Sequence, residues 1–323
     1  MGVNVSIDYN ARFSELKREV KDEGLLNRRP GWAIYQGSLI VIATILGFYF
    51  VDKIHPIFSV ILFASILTRC GFFTHDLLHF QYFDRKASRR LAYFFGNIFT
   101  GMSSNWWEMY HNYGHHTFPN CADKDADAQT MGGAFIDDKK WPKWFMKYQH
   151  IYFWVLPSAL WVNFIIEGWR WTIPRKMWGE WILMQLHWGF PIYMFMTLPT
   201  VDAWIVVAGS YALFGTWLSF GFATNHIGCV YYEGESYKDV TWFELQMVTA
   251  RNLRGGIFVH CLFGGLNTQT EHHLFPTSPR ANLLRVSEIT KAYCEKHNLP
   301  FFETGVFESY VQIHKALKEN RPK

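Results

Sequence analysis

The chain has 323 residues and a formal net charge of +4; half of its residues are hydrophobic and 19% are aromatic. Its mean hydropathy is nevertheless only -0.04, so the apolar residues must be gathered in blocks that very polar segments separate. This distribution is typical of a membrane protein with large aqueous segments. The modest charge comes without an uninterrupted basic run, which argues against nucleic acid as a partner.

The first 30 residues are polar and charged, and we do not expect them to form a cleavable signal peptide. Four later blocks have about the 20 apolar residues that a helix needs to cross the hydrocarbon of a bilayer. Tight turns join the first block to the second and the third to the fourth, which predicts two transmembrane hairpins. The four predicted spans are residues 31–51, 54–74, 181–198 and 203–223.

Basic residues set the predicted orientation, since cytoplasmic segments carry an excess of Lys and Arg. Lys53 is the one basic residue in a turn that the hairpins place outside. We therefore predict an integral, multi-pass membrane protein whose termini and polar segments are all cytosolic. Its predicted parts are a cytosolic N-terminal segment (1–30), a first hairpin (31–74), a cytosolic helical cap (75–179), a second hairpin (180–223) and a cytosolic cap and tail (224–323).

Two further apolar stretches, 91–102 and 151–166, are short for spans. If 151–166 alone crossed the membrane, His226 would lie on the opposite side from His75. We therefore interpret both stretches as interfacial helices along the cytoplasmic surface. The fold class predicted from the whole pattern is an all-α membrane protein with four spans and a cytosolic helical cap.

Histidines are the chemically most informative residues of the chain. Eight of the 14 fall in four short motifs, HDLLH, HNYGHH, NH and QTEHH, which the predicted topology gathers on one side of the membrane. Imidazole suits iron, copper and zinc, and eight ligands exceed the roughly four that one tetrahedral zinc takes. The motifs predict two metal ions side by side, with oxygen chemistry, held by His75, His79, His111, His115, His116, His226, His272 and His273.

Other residues are candidates for supporting roles. Gln269 and His260 are possible additional ligands. Ligating imidazoles usually donate their second N–H to a carboxylate or carbonyl, so acidic residues in or after the motifs are candidate partners of the ligands: Asp76, Glu271, and Asp125 with its neighbours Asp123 and Asp127. Three aromatic residues before His111 are predicted either to line a substrate tunnel or to form an aromatic belt at the membrane interface: Trp106, Trp107 and Tyr110.

Together with the tail GGLNTQTEHHLFPTSPRANLLRV and the segment FATNHIG, the histidine motifs resemble the membrane fatty acid desaturase family, most closely its acyl-lipid and front-end branch. The resemblance covers nearly the whole chain. It implies a four-span bundle with a cytosolic cap, two irons held by the eight histidines, O2 as oxidant, and a fatty acyl substrate carried by a lipid, coenzyme A or a carrier protein.

The chain departs from that pattern in two ways. The second motif reads HxxxHH in place of the shorter HxxHH, which leaves the position of the double bond open. The HPGG signature of a fused haem domain is missing, so two electrons per turnover are expected from a separate donor, a ferredoxin or a b-type cytochrome with its reductase.

Other functions fit parts of the pattern. A hydroxylase, ketolase or acetylenase would use the same scaffold, and sequence does not separate these outcomes from desaturation. A non-enzymatic metal-binding protein or transporter would place its ligands along the spans near the bilayer midplane. A membrane zinc hydrolase needs only about three protein ligands, which would leave the other histidines unexplained.

Overall fold

The computed structural model describes residues 8–122, 124–125 and 143–319, and these are mostly helical. Two short strands, β1 (Asn252–Arg254) and β2 (Glu303–Gly305), pair in parallel. The helices of the described residues are α1 (Tyr9–Asp22), α2 (Pro30–Phe50), α3 (Pro56–Leu78), α4 (Arg85–Ala92), α5 (Ser104–Trp107), α6 (Lys143–Lys147), α7 (Gln149–Tyr152), α8 (Leu160–Thr172), α9 (Trp178–Gln185), α10 (Gly189–Thr197), α11 (Thr200–His226), α12 (Trp242–Thr249), α13 (Gly256–Leu262), α14 (Gln269–Leu274), α15 (Leu283–His297) and α16 (Val306–Glu319).

Three helices in this part of the chain, α2, α3 and α11, are long and apolar enough to cross a membrane. Proline opens α2 and α3, where its missing N–H is one that a first helical turn leaves unpaired anyway. The fourth predicted span, 181–198, is not one continuous helix. A 3-10 turn at Leu186–Trp188 separates α9 from α10, and Pro191 explains the break because its ring clashes with the carbonyl of His187.

The core of the bundle lies between α3 and α11, which bury much more of their surface than α2 does. Small residues allow the two helices to approach closely, as is common between membrane helices. A Cβ at Gly209 would lie 2.9 Å from Val60, and one at Gly71 would lie 3.3 Å from Leu218. Because its outer face is exposed, α2 forms one edge of the bundle.

A second core lies at the end of the bundle where α2 begins and α3 ends. There α1 packs against α12, α14 and α15, and Leu16, Phe243 and Val286 are buried together. The hydroxyl of Tyr293 donates to Glu15 at 2.7 Å. The N-terminal helix and the C-terminal helices therefore belong to one helical cap.

The two predicted interfacial helices are divided in the structure. Residues 91–102 include the end of α4 and a π-helical segment, Tyr93–Ile98. Residues 151–166 include a 3-10 turn, Leu156–Ala159, and the start of α8. The ring of Trp161 in α8 stacks on that of Tyr211 at 4.4 Å, so this part packs against α11 roughly 22 Å before its histidine end, at about 1.5 Å per residue. Their depth in a membrane stays a prediction.

A substitution at Gly215 tests the packing of residues 151–166 against α11. A Cβ on Gly215 would lie 2.6 Å from the carbonyl oxygen of Pro157, so we expect Gly215→Ala to lower the free energy of unfolding by about 1–3 kcal/mol. The measurement is thermal unfolding of the purified protein in one detergent. Gly189→Ala is the control, since a Cβ there meets no atom within 4 Å. Equal unfolding temperatures for the two variants would contradict the close contact.

Candidate metal centre

The first histidine motif lies at the end of α3, where the bundle meets the cap. His75 is in the last turn of the helix and His79 ends it, with the His79 amide donating to the His75 carbonyl at 3.0 Å. The two histidines are four residues apart, about one helical turn, and their ring centroids are 4.6 Å apart. Both rings are buried.

The second motif lies in a π-helical segment, Glu108–His115, that continues α5. The amide of His116 donates to the carbonyl of His111 at 2.9 Å, five residues back as in a π-helix. This wider turn brings the Nε2 atoms of His111 and His116 to within 3.1 Å. His111 and His115, four residues apart, belong to different groups of neighbouring histidines.

The eight predicted ligands come together as two adjacent groups. Within each group the nearest ligand nitrogens all lie within 4.8 Å of one another. The ring of His116 lies between the groups, 4.7 Å from that of His272 and 4.3 Å from that of His273. One group is His75, His79, His111 and His272, and the other is His115, His226 and His273.

Burial and mutual proximity keep these rings neutral. Burial lowers the pKa of the affected histidines well below the ordinary value, and positive charge on neighbouring rings would lower it further. A neutral imidazole offers the lone pair that a metal needs. This holds for the rings outside the long apolar helices: His79, His111, His116, His272 and His273.

Two carboxylates orient rings of the cluster. The Nδ1 atom of His75 donates to Asp76 at 3.2 Å, and that of His115 donates to Asp125 at 3.0 Å. Glu271 does not point at the rings; it accepts a hydrogen bond from the side chain of Asn252 at 2.7 Å. Burial raises the pKa of Glu271 to about 7. The neighbouring acids Asp123 and Asp127 lie outside the described residues.

Two neutral oxygens orient further rings, and sequence reasoning missed both. His226 donates from Nδ1 to the carbonyl of Thr249 at 2.9 Å, and His273 donates to the side-chain oxygen of Gln246 at 2.8 Å. The amide nitrogen of Gln246 donates to the His116 carbonyl at 3.2 Å, so Gln246 connects the second and third motifs. A lone Thr and a lone Gln carry no motif that would identify them.

Arg280 was also missed as a site residue, although it lies in the tail that carries the family resemblance. Its guanidinium is buried, 2.6 Å from the carboxylate of Asp76, and donates to the carbonyl of Phe72 at 2.7 Å. The hydroxyl of Tyr82 donates to the same carboxylate at 2.8 Å. Arg280 thus fixes Asp76, which in turn fixes His75.

The two possible additional ligands behave differently. The side-chain amide of Gln269 lies 2.9 Å from Nε2 of His226, so Gln269 borders the second group. Both ring nitrogens of His260 are bonded elsewhere, to Asn267 at 2.8 Å and to the carbonyl of Arg280 at 3.1 Å. His260 is therefore not part of the cluster.

The aromatic residues before the second motif are packed inward. Trp107 stacks on His111 with ring centroids 4.2 Å apart, and Trp106 packs against Tyr110 and Phe164. Both tryptophans are buried, which disfavours the alternative of a lipid-facing aromatic belt at these two positions. Trp107 forms part of the wall of the histidine cluster.

The donor set fits metal ions that take nitrogen ligands. Among the described residues, Nε2 of His79 and Nε2 of His273 are buried without any hydrogen-bond partner. Buried polar atoms are normally paired, and the Nε2 atoms of His75 and His272 face each other at 3.1 Å. Ligation by metal would give these inward nitrogens a partner, while the hydrogen bonds from Nδ1 of His75 and His115 to Asp76 and Asp125 remain.

Comparison with known proteins identifies a family and several relatives. The family model for fatty acid desaturases matches residues 53–305. An acyl-lipid (9-3)-desaturase of Physcomitrium patens is 30% identical over 81% of this chain and 52% of its own length. A delta(6)-fatty-acid desaturase of Caenorhabditis elegans is 29% identical over 95% of this chain and 74% of its own length. A delta(5) fatty acid desaturase of the same nematode is 27% identical over 94% of this chain and 72% of its own length.

The chain belongs to the fatty acid desaturase family, as the histidine motifs predict. Its three long apolar helices and this family make it an integral membrane protein. The chain spans about half the length of the moss relative and about three quarters of the nematode ones.

Arg280→Leu tests the link from Arg280 to Asp76. Because it leaves a buried carboxylate without its cation, we expect a loss of about 3–5 kcal/mol in the free energy of unfolding. Adding Asp76→Asn should recover part of that loss. Arg285→Leu is the control, since the exposed pair of Arg285 with Glu23 is worth at most about 1 kcal/mol. Matching thermal unfolding curves for Arg280→Leu and Arg285→Leu would disprove the link.

Proposed function

We propose that this chain is an O2-dependent fatty acyl desaturase that introduces a double bond into a lipid acyl chain at two irons. The observation that carries the proposal is the pair of adjacent, buried histidine groups with His116 between them. A single zinc site would use about four protein ligands and leave half of the cluster without a role. Membership of the desaturase family supports the same function.

The proposed ligands are His75, His79, His111 and His272 for one iron and His115, His226 and His273 for the other, with His116 at the boundary. Gln269 is a possible additional ligand beside His226, although its amide nitrogen faces the ring at 2.9 Å and its oxygen accepts from Asn225 at 3.0 Å. When bound, the irons would supply the activation of O2 and the removal of hydrogen from two neighbouring carbons, chemistry that no side chain provides.

The protein residues supply orientation and a dry environment. Asp76 and Asp125 accept from Nδ1 of His75 and His115, which directs the Nε2 atoms of these rings inward. Burial of the cluster excludes water and so protects a reactive oxidant from side reactions. We propose that Trp107 borders the substrate, and its stacking on His111 supports this role.

The reaction requires external electrons. Reduction of O2 to two waters consumes four electrons; two come from the C–H bonds that become the alkene and two must come from a donor, with two protons. We propose a ferredoxin or a b-type cytochrome with its reductase as that donor. The acyl chain would be carried by a lipid, coenzyme A or a carrier protein, and the related enzymes are named for acyl-lipid and fatty-acid desaturation.

The proposed topology keeps four crossings in two hairpins, with α9 and α10 together as the third. Contacts at both ends of this pair support it. Glu180 of α9 accepts from Ser103 at 2.8 Å beside the second motif, and Tyr193 of α10 donates to the carbonyl of Phe48 at 3.3 Å near the far end of α2. With basic residues concentrated on the histidine side, the cap and both ends of the chain would be cytosolic.

Two matched variants test the two-iron assignment. We expect His272→Ala and His273→Ala each to lower the iron content from about two to about one per chain and to abolish product formation, since each removes a ligand from a different group. His314→Ala is the control, because that ring lies outside the cluster. Metal content is measured on protein produced in iron-replete cells. Two irons retained in both variants would show that these rings are not ligands.

Mass spectrometry of acyl chains tests the reaction. With a ferredoxin or b-type cytochrome and its reductase supplied, we expect products lighter by two hydrogens, and no product when the donor is omitted. Gain of one oxygen would identify a hydroxylase instead, and an alkyne formed from an existing alkene would identify an acetylenase. Turnover without any donor would contradict the proposed electron balance.

A further inference from the structure

An apolar groove runs along α2 at the histidine end of the bundle, on the other side of α3 from the cluster. It has a volume of about 390 Å³ and is lined mainly by apolar side chains of α2, α3 and the α4 region. Phe73 forms part of it and packs on Phe95 at 4.9 Å. Since Phe73 precedes His75 by two residues, the two side chains point to nearly opposite sides of the helix. The groove is therefore separate from the metal centre.

The shape of the groove depends on a small residue. Gly37 lies in it, and a Cβ there would be 3.3 Å from Phe95 and 3.5 Å from Phe73. Ser38 and Ile42 of α2 also line the groove and are exposed. The groove thus opens on the face of α2 that points away from the bundle, toward lipid in an integral membrane protein.

Exposed cations adjoin, in the chain, the segments that line the groove near the start of α2. We call them the basic rim: Arg28, Arg29, Arg85, Lys86 and Arg90. Two directly precede α2 and three lie in α4, the helix that follows the end of α3. Arg85 also lies over the ring of Phe80, 5.2 Å from its centroid. Within the described part of the chain, none of the five forms an ion pair.

The rim keeps an excess of positive charge despite the nearby acids. The pKa of Asp84 is lowered because the amide of Ala87 donates to it and because Arg28 and Lys86 are close. Asp84 thus offsets one cation. Glu108 is already occupied by Arg89, at 2.7 Å, and so offsets no rim residue. A cluster of cations beside an apolar groove complements a molecule with an anionic head and a hydrocarbon tail.

We propose that the α2 groove and the basic rim bind an anionic phospholipid, with an acyl chain in the groove and the phosphate on the rim. Arg28 and Arg29 of the rim lie at headgroup level, because they immediately precede the first apolar residues of α2. A zwitterionic lipid would gain less, since its ammonium group opposes the rim. This site is distinct from the substrate site of the proposed function and does not depend on it.

The bound lipid would strengthen a weak edge of the fold. The outer face of α2 contacts little protein. A lipid that contacts both α2 and α4 would hold these two helices together. Helix α4 carries Arg89, which holds Glu108 at the start of the π-helical segment. Lipid binding would thus stabilise the π-helical segment that carries His111.

Native mass spectrometry of the detergent-solubilised full chain tests the site. Phosphatidylglycerol and phosphatidylcholine are added at equal concentration, and we expect the wild type to retain mainly phosphatidylglycerol. The rim variant Arg85→Gln/Lys86→Gln/Arg90→Gln should bind it about tenfold more weakly or worse, as expected from the attraction of each cation. The control Lys296→Gln/Lys315→Gln/Lys318→Gln removes the same charge from exposed positions in α15 and α16 and should bind as the wild type does.

Two further measurements distinguish the contribution of the phosphate headgroup from that of the acyl chain. Ser38→Phe, which fills the groove from an exposed position, should weaken phosphatidylglycerol binding and leave the rim intact. Glycerol phosphate, which has no acyl chain, should compete poorly; competition as strong as that of the lipid would reduce the site to a phosphate site and overturn the proposal.

Three other outcomes would also overturn it. The first is equal retention of both lipids by the wild type, and the second is equal phosphatidylglycerol binding by the rim and control variants. The third is a rim variant that keeps its lipid but loses electron transfer from an acidic redox protein, which would make the rim a protein docking surface.

Discussion

The structure depends on one electrostatic constraint: eight imidazoles lie in contact with one another, and seven of them are buried. Such a cluster cannot carry several positive charges, and burial lowers the pKa of His79, His111, His116, His272 and His273 well below the ordinary value, which favours their neutral form. Neutral rings still hold nitrogen atoms that need partners. The Nδ1 atoms of His75, His115, His226 and His273 donate to carboxylate, carbonyl or amide oxygens, and Nε2 of His79 and Nε2 of His273 have no hydrogen-bond partner and are available to a metal.

The histidines and their hydrogen-bond partners come from segments that are distant in sequence, and the fold must bring these segments together. The last turn of α3 brings the first motif, and the end of α11 brings His226. Arg280 then joins the C-terminal tail to α3 through Asp76 and the carbonyl of Phe72. Gln246 joins His116 to His273 in the same way. Polar cross-links of the cap therefore surround the histidines, beside its apolar core.

The sequence predicted the composition of this centre better than its geometry. The histidines were recognisable because metal chemistry requires that residue type and because the motifs are short. The π-helical turn was not recognisable, since nothing in HNYGHH distinguishes a spacing of five from one of four before the backbone is known. It was this turn that assigned His111 and His115 to different groups.

Supporting residues were predicted where they adjoin a motif and missed where folding alone brings them near. Asp76 and Asp125 were found, while Gln246, Thr249 and Arg280 were not. Glu271 adjoins His272, yet it faces Asn252 because neighbouring residues on a helix point in different directions. Three spans followed directly from length and hydropathy, whereas Pro191 divides the fourth predicted span at Leu186–Trp188.

Anomalous X-ray scattering at the iron edge from crystals of the iron-loaded protein tests the central claim most directly. We expect two iron peaks per chain, one among His75, His79, His111 and His272 and the other among His115, His226 and His273. A single iron peak, or zinc at both positions in protein that turns over acyl substrate, would contradict the two-iron centre.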